Sequence, residues 1–191
     1  NRHNSRSPEK VVEEIDFLIS NYQVDHIWFC DDIFGLKPGW IKRFSELVVS
    51  KNLQFKFKIQ CRADLLLDDE NIQHLANAGC DEIWIGAESG SQKILDAMDK
   101  GTTVKQIYTA TRLMQKHGIK PCLFLQFGYL DELQTDIDLT IKMVFDLMPY
   151  DIGVSVSYPL PGTQFYEKVT SQLQIKQNWS DSDELLLMYK S

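Results

Sequence analysis

Each of the strand-like apolar runs in this 191-residue chain ends in polar residues or glycine, and several of these could do chemistry. In IWIGAESGSQKI, residues 83–94, the run Ile83, Trp84, Ile85 gives way at Gly86 to Glu88 and Ser89. A carboxylate there can be a surface turn residue, part of a displaced nucleophile elbow or a group held over a substrate, and the glycine and serines that follow can cap a helix or cradle a phosphate. Elsewhere HIWFCDD ends in Asp31 and Asp32, FKFKIQCRAD in Arg62 and Asp64, KPCLFLQFGY carries Gln126, and DIGVSVSYPLPG carries Ser157 and Tyr158. The two aspartates suit an ion pair with Arg62 or a substrate contact better than a hard metal, because no third carboxylate or histidine joins them at the end of the run. Gln126 sits between Leu125 and Phe127, so its amide needs partners, from a core network or from a ribose-like ligand. Tyr158 can stack on a planar ligand or close the core. Arg112 falls in helical sequence, where surface exposure is the default.

Two chemistries are set aside by spacing. GAESG resembles the nucleophile elbow G-x-S-x-G, but Ser89 lies three residues after Gly86 instead of two. No histidine serves it either: His26 precedes its strand, His74 is mid-helix and His117 is at a helix end. Cys30, Cys61, Cys80 and Cys122 follow no short-spaced zinc or iron–sulfur pattern and read as small buried core residues.

The elements that must position these residues follow from periodicity. Ser7, Pro8 and Glu9 mark a helix start, and Val11, Val12, Ile15, Leu18, Ile19 and Tyr22 give it an apolar face. Strands at HIWFCDD, FKFKIQCRAD, EIWIGAESG, KPCLFLQFGY and DIGVSVSYPLPG then alternate with helical stretches. Gly101 splits the third helical stretch, with Thr103 and Gln106 as a capping box. Another helix runs from about Thr135 to Met148, stopped by Pro149, and Thr163 caps the last. Nearly continuous apolar strands between helices predict a parallel sheet covered by helices. Their polar ends then share one rim, where such sheets bind ligands.

A hydrophobic content of 43% suits one domain, and a net charge of −7 without a basic block excludes a DNA-binding face built on phosphate neutralisation. No apolar run reaches the roughly 20 residues of a membrane span, and the start lacks a signal-peptide core, which places the expectation in the cytoplasm. A first helix without a preceding strand, and a start other than methionine, read as a piece of something longer.

Taken together, DDIFGLKPGW, CRADLL, IWIGAESGSQKILDAMDKGTT, FLQFGY and SVSYPLPGTQFYE resemble the radical S-adenosylmethionine (radical SAM) superfamily, over Arg2 to about Lys190. The likeness is greatest to its cobalamin-dependent branch, which includes magnesium-protoporphyrin monomethyl ester oxidative cyclases. It implies an α/β fold, a partial (β/α)6 barrel of parallel strands, over residues 1–170, with 171–191 a linker or the start of a following segment. It also implies S-adenosylmethionine and a four-iron four-sulfur cluster. The CxxxCxxC loop that holds such a cluster is absent from this chain, so its ligands and the first barrel strand are expected upstream of Asn1. Cobalamin would occupy an N-terminal domain, and a flavodoxin or ferredoxin would supply electrons. Residue by residue, the resemblance puts Glu88 and Ser89 at the methionine end of the cofactor and Gln126 near its ribose. It puts Ser157 and Tyr158 on the adenine side, Arg112 as a partner of the methionine carboxylate, and Asp31, Asp32 and Arg62 around the cavity. Where the family often has Pro-Gly-Glu, this chain has Leu130, Asp131 and Glu132. The expected activity is oxidative cyclisation or methyl transfer on a small organic substrate, with the isolated chain inactive. A non-redox barrel lyase and a non-catalytic ligand-binding or scaffold domain are the alternatives.

Overall fold

The structure, a computed structural model, describes residues 5–173 and 187–189. Five parallel strands, β1 (His26–Trp28), β2 (Lys56–Cys61), β3 (Cys80–Glu88), β4 (Lys120–Phe127) and β5 (Asp151–Val156), pair in chain order as a curled half-barrel. Helices α1 (Pro8–Tyr22), α2 (Trp40–Ser50), α3 (Asp69–Asn77), α4 (Gln92–Ala97), α5 (Val104–Lys116), α6 (Gln134–Leu147) and α7 (Gln164–Val169) complete the described elements together with two short 3-10 turns.

The helix ends form for the reasons the sequence offers. The Ser7 hydroxyl accepts from the Lys10 N–H at 3.4 Å, and Thr163 accepts from the Tyr166 N–H at 3.1 Å. Thr103 and Gln106 form the reciprocal capping box that restarts the chain as α5 after Gly101, whose φ of +64° suits glycine.

Alternation along the strands sorts side chains to two faces. Phe57, Ile59, Ile83, Ile85, Ala87, Leu123 and Leu125 are buried beneath the helices. Lys58, Gln60, Trp84, Gly86, Phe124 and Gln126 point to the inner face. The helix-covered face is closed at one edge by an aromatic cluster in which Phe44 packs on Trp40, Phe29, Phe34 and Phe57. Burying each such ring contributes on the order of 2 kcal/mol.

β1 is shorter than HIWFCDD suggests. After Trp28 the Phe29 N–H donates to the Lys58 carbonyl at 3.0 Å before the chain loops out, and the Phe34 N–H returns to the Gln60 carbonyl at 2.9 Å. This corrects the reading of Cys30 as a core residue: it lies past the end of an edge strand and is exposed, while Cys61, Cys80 and Cys122 are buried.

Of the expected linker, residues 174–186 and 190–191 lie outside the described residues. Tyr189 pairs with Leu173 in an antiparallel bridge, and Met188 and Tyr189 pack with Val169, Leu130, Tyr158 and Phe165. No helix of the described residues is long and apolar enough to cross a membrane.

Candidate functional site

The carboxyl ends of β3 and β4 build the rim. At the end of β3 the ladder to β4 shifts register between Gly86 and Glu88, and Glu88 takes a left-handed φ of +56°. The Ser89 N–H donates back to the Ala87 carbonyl at 2.7 Å, closing a three-residue turn around Glu88. The turn lays the carboxylate over Gly86, with Oε1 3.0 Å from where a Cβ on that glycine would stand. Any larger residue at 86 would push the carboxylate off the inner face. Lys100, in the loop between α4 and α5, reaches Glu88 Oε1 with Nζ at 2.6 Å, and the glutamate side chain keeps only 14% exposure. A partly desolvated ion pair of this kind is a template for a ligand that carries both charges.

Ser89 does not share that face. Its hydroxyl is fully buried against α6, 3.1 Å from Thr140 Oγ1, and accepts from the Ser91 N–H at 3.1 Å. The left-handed turn at Glu88, where β3 ends, directs the Ser89 side chain to α6. Gly90 presses on the same helix: a Cβ there would come within 2.4 Å of the Leu139 carbonyl oxygen. Beyond it the Ser91 hydroxyl donates to Asp136 Oδ1 at 2.7 Å, and Lys93 Nζ reaches Asp136 Oδ2 at 2.8 Å and the Asp131 carbonyl at 2.7 Å. The Lys93 ammonium first, then the Leu133 N–H and the Ser91 hydroxyl, hold the Asp136 carboxyl down at about 2.

On β4, Leu125 is the register partner of Glu88, and Gln126 follows it on the inner face, opposite Ser155 of β5. The next turn is tied down from within. The Gly128 N–H donates to Glu132 Oε2 at 2.5 Å, so Glu132 secures the turn although Leu130 and Asp131 precede it. Burial raises the Glu132 carboxyl above its ordinary range. Ser157 is buried and its N–H donates to the Phe127 carbonyl at 2.9 Å; the Tyr189 hydroxyl donates to the Gly128 carbonyl. Tyr158 joins the small cluster around Tyr189.

The remaining candidates separate. Arg62 ends β2 but binds Asp64 in a fork, Nε to Oδ1 at 2.9 Å and Nη2 to Oδ2 at 3.0 Å, which replaces the expected pair with Asp31 or Asp32. Those aspartates are exposed in the loop after β1. Arg112 is not brought to the rim: its guanidinium lies 5.6 Å from the Tyr108 ring on the same helix, and the Tyr108 hydroxyl donates to Asp146 of α6. Sequence reasoning missed Lys100, Thr140 and Asp136. Lys100 sits before Gly101 in a stretch with no strand, and only the turn between α4 and α5 carries it back over β3.

Residues 1–144 match the family model of the radical SAM superfamily. The chain belongs to that superfamily. Radical SAM proteins use S-adenosylmethionine and a four-iron four-sulfur cluster, and the match makes this chain part of an enzyme. It is 26% identical to an uncharacterised methyltransferase of Pyrococcus horikoshii, over 93% of this chain and 39% of that protein. It is 25% identical to an anaerobic magnesium-protoporphyrin IX monomethyl ester cyclase of Rubrivivax gelatinosus, over 89% and 31%. This radical SAM chain thus spans between three and four tenths of the length of these relatives. Among solved structures it matches the radical SAM methyltransferase TsrM of Kitasatospora setae, bound to cobalamin and its cluster, with a TM-score of 0.78 at 20% identity over 89% of this chain and 32% of that one. The cobalamin-dependent enzyme OxsB matches with a TM-score of 0.67 at 25% identity, over 72% and 22%.

Proposed function

We propose that the inner rim of this radical SAM chain holds the methionyl end of S-adenosylmethionine between Glu88 and Lys100. The Glu88–Lys100 pair carries the reading. An amino-acid zwitterion offers an ammonium to Glu88 and a carboxylate to Lys100, so both charges stay compensated when the ligand replaces the internal pair. Gln126 and Ser155 would supply polar groups on the adjacent strands for a ribose, and we assign the adenine side to the backbone of Ser157 and Tyr158. When bound with its cluster, the cofactor supplies radical chemistry by reductive cleavage of a sulfonium bond. The chain's own part is to orient the zwitterion and to line the space with apolar side chains such as Phe124 and Trp84.

The cysteines of this chain do not fit the cluster. Burial pushes the Cys61 and Cys122 thiols up to about 12 and raises Cys80 as well, and among the described residues no three His, Cys, Asp or Glu side chains converge on a metal site. We assign the cluster ligands to residues outside this chain. For the longer protein the cyclase and methyltransferase relatives support oxidative cyclisation or methyl transfer on a small organic substrate. The cobalamin bound by TsrM and OxsB supports cobalamin as a further cofactor, with a flavodoxin or ferredoxin as electron donor in the cytoplasm.

The test uses the protein expressed from its full reading frame and reconstituted without oxygen. Glu88→Gln and Lys100→Met should each weaken S-adenosylmethionine binding about tenfold or more. Unchanged affinity in both variants would remove the reading.

A further inference from the structure

We propose that Thr140 and Asp136 of α6 are positioning residues that hold Glu88 in its left-handed conformation and thereby keep its carboxylate over Gly86. The inference rests on reading Glu88 as the ammonium contact. A glutamate at φ +56° occupies a region that few non-glycine residues visit, and such a conformation persists only where its surroundings fix the backbone on both sides. Before Glu88 the backbone is held by the ladders of β3 to β2 and β4. After it, successive residues are bonded, directly or through one another, to one helix face.

The proton assignments leave little freedom. Thr140 Oγ1 donates to the Asp136 carbonyl at 3.1 Å, so it can only accept from its other partners. It accepts the Gly90 N–H at 2.9 Å and therefore the Ser89 hydroxyl at 3.1 Å, and Ser89 in turn accepts the Ser91 N–H. The Asp136 carboxylate takes the Ser91 hydroxyl on one oxygen and Lys93 with the Leu133 N–H on the other. Thr140 and Asp136 lie one turn apart on the buried side of α6, so a single helix face fixes Ser89, Gly90 and Ser91. The bond from Lys93 to the Asp131 carbonyl extends the hold to the loop after β4, which Glu132 also secures.

Thr140→Val keeps the volume and removes the hydroxyl; Thr140→Ser keeps the hydroxyl. Two measurements separate the hold on the backbone from the cofactor reading. In this chain, with no cofactor, the backbone chemical shifts and three-bond coupling of Glu88 report its left-handed state. In the full-length protein, equilibrium binding reports the affinity for S-adenosylmethionine. Thr140→Val should lose the left-handed signature and weaken binding about tenfold, and Thr140→Ser should restore both. Asp136→Asn, which keeps the shape but not the charge, should fall between them. A left-handed signature that survives Thr140→Val would overturn the proposal whatever the affinity does. Loss of the signature, with affinity unchanged there and in Glu88→Ala, would uphold the hold on the backbone and overturn the cofactor reading instead.

Discussion

A single methyl group tests how closely the rim is packed. Gly90 has no positive φ, so alanine is admissible to its backbone, yet its Cβ would lie 2.4 Å from the Leu139 carbonyl oxygen and 2.8 Å from Thr140 Cα. At Gly118 the opposite holds: φ is +73°, but nothing stands within 4 Å of an added Cβ. Gly90→Ala should therefore lower the stability of the chain by about 2–3 kcal/mol through steric displacement of α6. Gly118→Ala should cost only about 1 kcal/mol through backbone strain. Urea midpoints of the two variants check the order, and a Gly90→Ala midpoint at or above that of Gly118→Ala would refute it. At this scale Glu88 was legible because a carboxylate at a strand end stands out against IWIGA. The direction of the Ser89 side chain, toward α6, was not legible, because it depends on the left-handed turn at Glu88. Lys100 carried no signal, because its contact to Glu88 depends on how a loop closes and not on any local pattern.

Among the elements, α6 shows what titration of one side chain does to a helix. Its Asp136 is ionised more readily in the folded chain than in the unfolded one, because Lys93, the Leu133 N–H and the Ser91 hydroxyl all favour the anion. The sign follows: the stabilisation is complete above the ordinary carboxylate range, near pH 4, and is lost as pH falls toward 2. Asp136→Asn should lower stability at neutral pH by about 1 kcal/mol, with the difference from the parent shrinking across that window. A difference that stays constant from pH 6 to pH 2.5 would count against the assignment. Elements were more readable than sites. Ser7, Thr103 and Thr163 announced helix starts through capping chemistry that acts within one turn, and Gly101 announced the break between α4 and α5. β1 was overread, because the apolar Phe29 belongs to the aromatic cluster rather than to the strand, and sequence does not tell burial by a helix from burial in a ladder.

For the molecule as a whole, the cysteines make a prediction about metal. Three are buried in separate strands or their starts, and Cys30 alone is exposed among the described residues. Anaerobic incubation of this chain with iron and sulfide should give no stable visible absorption, and the full-length protein should acquire it; a cluster bound by the isolated chain would contradict both the thiol placement and the assignment of ligands outside it. The parallel order of the fold and the C-terminal rim were readable from alternation alone, since five apolar runs separated by helices allow few other arrangements. The strict neighbour order of the sheet, β1-β2-β3-β4-β5, has a consequence for biosynthesis. Every strand from β2 onward finds its partner in the strand made just before it, so no edge must be held open for a later segment. The sheet can extend one unit at a time as the chain leaves the ribosome. The turn that bears Glu88 is then fixed only when α6 arrives to supply Thr140, so the rim at the end of β3 is among the last features to set.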